Sequence, residues 1–345
     1  MTPTHPLDRL RVGMRAVVRH RLENGLTDAL GEVVALDQTS VSVATRRGLQ
    51  VVQRAAVVAA KEVPPAPSRR GAPHLALSMA DLQRVMVDGW PPLERVELGG
   101  WMLRAAGGFT GRANSVLPLG DPGRPLPDAV RAAEAWYAER GLRPMFSLFG
   151  PQGFTVTDDT LGALLHARGY TDVNRSVVMT TAVASLASAT RRPSSEEGNE
   201  GNDGDEGRAA VTVREGRTPW PQWWAASDER RRDSRDLAQA VMASSPDQVL
   251  LAAEVDGRTV ATARVAFAHA WAGVFGLHVL PGSRRLGVAT ALMGAAAAQA
   301  QARGSASMYL QVERANEGAV ALYRRLGCAT HHEYVYLAAP EHPAA

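Results

Sequence analysis

Cysteine is nearly absent from this chain of 345 residues, with Cys328 alone. No internal disulfide can form, and no Cys/His cluster has the spacing of a structural zinc site. A reducing cytoplasm and no metal are the expectation. Long apolar runs are lacking too: nothing approaches the eighteen or so uncharged residues of a membrane span. The opening MTPTHPLDRLRVG has no apolar stretch like that of a secretory leader. A charge excess is also missing, because 38 Lys+Arg against 35 Asp+Glu leave a net +3. That balance describes an ordinary soluble surface and excludes nucleic acid and membrane as expected partners.

What is present divides by composition. Residues 8–62 alternate in short β-like runs such as RVGMRAVVRHRL and SVSVATRR, separated by turn residues, and read as a small β-barrel occupying residues 1–63. The proline-rich stretch PPAPSRRGAP lies in a linker, residues 64–75, expected to hold the barrel away from the rest of the chain. A second linker, residues 190–209, carries six acids between Glu196 and Glu206 and no aromatic, and is expected to be disordered. It separates residues 76–189 from 210–345.

Those two parts repeat one another. VLPLGDPGRPLPDAVRAAEAWYAERG from Val116 and VLPGSRRLGVATALMGAAAAQAQARG from Val279 share Val-Leu-Pro and a closing Arg-Gly, 163 residues apart. ALLHARGYTDVNRSVVMT from Ala163 matches ALYRRLGCATHHEYVYLA from Ala321, now 158 apart. Each copy reads strand, turn, long helix, strand, short helix, glycine, strand: a duplicated α/β lobe.

The second copy has a distinctive turn, GSRRLGVATALM. The strand AGVFGLHVL runs into Pro281, and an alanine-rich helix comes next. At such a helix start the first N–H groups lack partners and the dipole adds positive character, so an anion fits. Gly287 allows close approach, Ala289 keeps the next turn thin, and Arg284 and Arg285 add formal charge. Neither the Gly-Lys-Ser/Thr of a Walker loop nor a three-glycine dinucleotide fingerprint is present. The first copy reads GDPGRP here, where Pro122 and Pro125 delete donors and Asp121 adds negative charge, so that copy cannot cradle a diphosphate.

The pattern V-x-P-x-x-R-x-x-G-x-A-x-x-L from Val279 to Leu292, followed by LQVERANEGAVALYRRLGC with Asn316, Ala319, Leu322, Tyr323 and Gly327, resembles the acetyl-CoA core of GNAT N-acetyltransferases. The whole arrangement resembles actinobacterial GNAT proteins with an SH3-like barrel, a degenerate GNAT lobe and a catalytic one, some assigned as N-acetylglutamate synthases and others labelled histone acetyltransferases. The fold class implied is α+β: an SH3-like β-barrel followed by tandem GNAT lobes.

The resemblance implies acetyl-CoA as cosubstrate. The main chain at Leu277 and Val279 would pair with the pantetheine arm as an added strand does. The diphosphate would lie over Arg284, Arg285, Leu286, Gly287, Val288, Ala289 and Thr290. Asn316 would support the arm, and Tyr323 would be the general acid at the sulfur, its alternative role being a packed aromatic. An amine attacks the thioester directly in this family, so Cys328 is core. A lysine with a pKa near 10.4 is neutral in only about one molecule in two thousand at pH 7, so a base helps. Glu313 is the preferred base, directly or through water, with Gln311 on the same face of its strand; His278 on the opposite strand is the alternative.

The acceptor is expected between the lobes. FTGRANS reads as a first-lobe strand presenting Arg112, Asn114 and Ser115, and Arg112 either clamps a carboxylate or lies at a solvated edge. The segment Trp220 to Asp236 reads as a helical flap with inward tryptophans and mostly solvated charges. A small-molecule amine, such as the amino acid glutamate, is the leading acceptor. Protein lysine acetylation and a non-catalytic acetyl-CoA-binding scaffold, recruiting a protein partner through the barrel, are the alternatives.

Overall fold

The computed structural model describes residues 5–22, 25–45, 48–63, 73–191 and 210–340. The N-terminal strands are β1 (Arg15–Leu22), β2 (Gly25–Leu36), β3 (Ser40–Thr45), β4 (Gly48–Gln53) and β5 (Val57–Glu62). They form one antiparallel sheet in the order β4-β3-β2-β1-β5. Val18, Val33, Val41 and Val43 alternate inward beneath Leu7 and Leu10. A 3₁₀ turn at Arg54–Ala56 carries the chain from β4 into β5, which pairs with β1. Among the described residues the two outer strands, β4 and β5, do not pair with each other, so no closed barrel is seen.

The first lobe contains α1 (Met79–Gly89), β6 (Glu94–Leu98), β7 (Trp101–Ala105), β8 (Leu117–Pro118), α2 (Leu126–Ala138), β9 (Met145–Gly150), α3 (Thr160–Ala167) and β10 (Thr171–Ala182). Helix α4 (Val183–Arg191) comes after it. The second lobe contains β11 (Val211–Gly216), the flap helices α5 (Pro221–Ala225), α6 (Glu229–Asp233) and α7 (Arg235–Ala243), then β12 (Gln248–Val255), β13 (Arg258–Ala268), β14 (Trp271–Val279), α8 (Val288–Ala302), β15 (Ser307–Glu313), α9 (Glu317–Arg325) and β16 (Ala329–Ala338). Both copies thus keep the element order read from the repeat. In both, the short helix ends at a glycine in the left-handed region, Gly169 and Gly327, at φ +83° and +82°.

The two lobes exchange their last strands. β10 pairs with β15 of the second lobe, β16 pairs with β9 of the first, and β10 and β16 pair antiparallel between them. The result is an eight-stranded sheet, β11-β12-β13-β14-β15-β10-β16-β9. A parallel bridge between Val116 and Phe146 links it to the small β6-β7-β8 sheet. Neither exchanged strand is left as an open edge. One face of the large sheet is covered by α4, α8 and α9, whose alanines permit close approach. The other is covered by the flap and α1, with Trp223, Trp224, Phe275 and Tyr309 in the core.

The N-terminal sheet is not held apart, contrary to the reading of the proline-rich segment, of which residues 64–72 lie outside those described. It rests on the first lobe. Arg11 Nη2 pairs with Asp159 Oδ1 at 3.0 Å, both side chains 7% exposed, and Asp159 also caps α3 by accepting from the Leu161 and Gly162 N–H groups. Gly13, at φ +89°, packs so closely on Phe149 that a Cβ there would fall 2.5 Å from its ring. Most of the acidic linker, residues 192–209, likewise lies outside the described residues.

Candidate functional site

β14 pairs with β13 along most of its length, but with β15 only from Trp271–Val274 to Ser307–Leu310. Beyond Val274 the register against β13 shifts, and Gly276 adopts φ +53°. There β14 leaves β15, which continues beside β10 as far as Glu313. Leu277–Val279 and Gln311–Glu313 become the two banks of a wedge, with backbone groups of Leu277 and Val279 unpaired by any described strand on that side. Arg231 holds the bend: its Nη1 donates to the Gly276 carbonyl at 3.1 Å, and a Cβ on Gly276 would fall 1.2 Å from Nη2. The flap's charges were expected to be solvated; Arg231 is buried, because this carbonyl and Asp228 satisfy it.

The wedge leads to the arginine turn. After a 3₁₀ turn at Pro281–Ser283, Arg284, Arg285 and Leu286 are exposed, and Gly287 at φ +79° precedes Val288, the first helical residue. Among the described residues no side chain caps α8, so the N–H groups of Val288, Ala289 and Thr290 are free for an anion. His278 is half-buried on β14 and titrates below its ordinary range, first through burial, with like charge from Arg231, Arg284 and Arg232 adding to it. It is neutral at neutral pH. The cationic field that lowers it also favours an anionic ligand at this turn.

Asn316 caps α9, its Oδ1 accepting from the Ala319 N–H at 3.1 Å. Tyr323 lies deeper, packed with Val320, Leu326 and Cys328 in the core beneath β15. Burial pushes its hydroxyl up to about 12, so it keeps its proton at neutral pH. The Cys328 thiol is likewise buried and raised to about 12, which makes it inert. On β15 Val312 turns into the core, while Gln311 and the exposed Glu313 point to the opposite face.

That face opens into a pocket between the lobes. It is lined by Gln83, Met86, Val87 and Trp90 of α1, Arg104, Arg112 and Ser147 of the first lobe, and Gln311, Tyr334 and Tyr336 of the exchanged centre. Arg112 hydrogen-bonds the Tyr334 hydroxyl, which donates to Gln311 Oε1 at 3.0 Å. Two residues singled out by sequence, Arg112 and Gln311, therefore meet through a third. FTGRANS is not a strand, however: Gly111–Ala113 is a 3₁₀ turn. Asn114 is not positioned to bind an acceptor. Its Oδ1 accepts from Ala106 and Gly108 N–H groups, and its Nδ2 donates to the Phe109 and Thr110 carbonyls, so its amide is spent holding the loop.

Sequence reasoning missed Trp90, Arg104, Tyr334, Tyr336 and the wholly buried Arg264. One signal was available for the last: a lone arginine in the apolar run TVATARVAFA. Nothing local marks the others, which converge only through strand exchange.

The family model described as "Probable histone acetyltransferase Rv0428c C-terminal" matches residues 78–337. The chain belongs to this family. Its fold is shared with GNAT proteins, and the match starts just after the N-terminal sheet. Among curated relatives, the probable histone acetyltransferase Rv0428c of Mycobacterium tuberculosis is 35% identical over 142 residues, 40% of this chain and 44% of that protein. The chain therefore matches less than half the length of that relative. The uncharacterised N-acetyltransferase YobR of Bacillus subtilis is 26% identical over 257 residues, 74% of this chain and 96% of that protein. Among solved structures, a GCN5-related N-acetyltransferase from Kribbella flavida shares the fold, with TM-score 0.52, 20% identity and coverage of 76% of this chain and 96% of that one.

Proposed function

We propose that the chain transfers acetyl from acetyl-CoA to the amine of a small acceptor, an amino acid such as glutamate. The observation that carries this reading is the wedge between β14 and β15 running directly into an uncapped helix start flanked by two exposed arginines. These residues fit coenzyme A: open main-chain groups for its amide-bearing arm and free N–H donors with guanidinium charge for its diphosphate.

Acetyl-CoA supplies an acetyl thioester: the amine forms a C–N bond to the carbonyl carbon, the C–S bond breaks, and the amine's proton is exchanged for one on sulfur. Arg284, Arg285 and the first turn of α8, including Leu286, Gly287, Val288, Ala289 and Thr290, hold the diphosphate. Leu277 and Val279 orient the arm, and Asn316 supports it. Tyr323, protonated at neutral pH, donates to the departing sulfur. Glu313, exposed at the end of β15, takes the amine's proton directly or through water. Arg112 and Gln311 face the acceptor.

Free-thiol release with a panel of amino acids and peptides tests this. Turnover with one free amino acid supports it. Turnover with lysine peptides alone favours protein acetylation, in keeping with the name of the mycobacterial relative. Acetyl-CoA binding without turnover identifies a scaffold, and absence of binding sinks the reading.

A further inference from the structure

Three guanidiniums converge where the lobes meet, and among the described residues no carboxylate answers them. Arg104 is buried, and its Nε and Nη2 donate to the carbonyl and hydroxyl of Ser115. Arg264 is wholly buried; its Nη1 donates to the Gly89 carbonyl at 2.8 Å, and its Nη2 has no partner among the described residues. Arg112 and Arg264 lie over the same ring pair, Trp90 and Phe275, at 5.2–5.9 Å from the ring centroids. The described lining of the pocket contains no Asp or Glu. Burial, with like charge from Arg231, pulls Arg264 down to about 9, and burial lowers Arg104 as well, with Arg112 adding to it. Arginines do not lose their protons at neutral pH. The pocket therefore holds positive charge at a cost that an anionic ligand would offset.

We infer that this pocket selects acceptors bearing a free carboxylate, which Arg112 grips from the mouth while Arg104 and Arg264 supply the surrounding positive charge. This rests on the acetyltransferase reading and narrows it. Tyr334 fixes the guanidinium and Gln311 behind it, so the carboxylate end is held beside the strand that forms one bank of the wedge. The amine is then left to face the gap.

The experiment pairs each amino acid with its carboxamide, using the full chain. In thiol release, the carboxylates are turned over and their amides are at least about tenfold poorer in kcat/KM. Arg112→Gln raises the acceptor KM by about 30-fold or more, as for truncation of one partner of a buried charge pair, without changing acetyl-CoA affinity by calorimetry. Arg112→Lys restores it only in part, because the bidentate fork is lost. Thermal shift with the corresponding N-acetyl amino acids gives a readout that needs no turnover: they raise the melting temperature, their amides do not, and Arg112→Gln abolishes the difference. Equal behaviour of acids and amides in both measurements, an unchanged acceptor KM, or no shift with any acid overturns the inference. Loss of acetyl-CoA binding in the wild type would instead overturn the acetyltransferase reading.

Discussion

The two lobes share one framework and differ at the places where a cofactor would be held. In the second, β14 and β15 part after Val274 and leave Val279 open. In the first, the matching Val116 is closed onto β9, its N–H donating to the Met145 carbonyl and its own carbonyl accepting from Ser147 N–H, both at 2.8 Å. The second has an arginine turn and Gly287 before its long helix; the first has Asp121, Pro122 and Pro125, with Arg9 of the N-terminal segment 3.8 Å from Asp121. Tyr323 in one is Leu165 in the other. The framework persists in both because each sheet is completed by the other lobe's last strand, so neither can lose its topology without opening its partner. The features for anion binding carry no such constraint. The first lobe, relieved of them, supplies Arg104, Arg112 and Ser147 to the shared pocket.

The sharpest way to break this contrast is Gly287→Pro. Proline cannot adopt φ +79°, and a misfit of this kind costs about 3 kcal/mol, so acetyl-CoA affinity should fall roughly a hundredfold by calorimetry, with the circular dichroism spectrum retained. Unchanged affinity would remove the distinction between the turns. In the wild type the same titration should give one site per chain; two would restore the first lobe as a cofactor site.

Arg11→Ala probes what covers the first lobe. It leaves Asp159 buried without its partner, and breaking such a pair costs on the order of 3 kcal/mol, read as a lower midpoint in chemical denaturation. Tyr323→Phe tests the second lobe's acid: kcat should drop about tenfold or more, with KM for acetyl-CoA within about twofold. An equal loss in Leu165→Ala would show that packing, not proton donation, is being measured.

The smallest effect concerns the contact between the N-terminal sheet and α1. Burial raises Glu32 to about 7, opposed by a hydrogen bond from the Met79 backbone. A carboxyl raised in the folded state contributes stability below its ordinary value of 4.5, and that contribution is lost as pH rises through 7. Glu32→Gln should therefore raise the melting temperature by a few degrees at pH 8 and flatten its fall between pH 5 and 8. A pH profile parallel to that of the wild type would contradict this.

Much of this fold is written locally. The long helix after Gly287, the short one ending at Gly327, the strand leading into Pro281 and the duplication itself depend on periodicity, glycine and proline, which act within a few residues. The turn before α8 was legible for the same reason, since its proline, arginines and glycine are contiguous. That β4 and β5 stay unpaired among the described residues and that Arg11 docks on Asp159 was not legible, because contacts between distant residues leave no mark on nearby ones. FTGRANS was misread as a strand because Asn114 diverts four backbone groups that a ladder would otherwise use.

The amino-acid sequence by itself determined the elements, their duplication and which copy carries the arginine-glycine turn ahead of its long helix, because helix starts and turns are governed by neighbours in the chain. Only the tertiary structure decided that β10 and β16 change places, and with them that Tyr334 stands between Arg112 and Gln311. Strand exchange conserves every local propensity while changing every long-range partner, so it leaves no local signature.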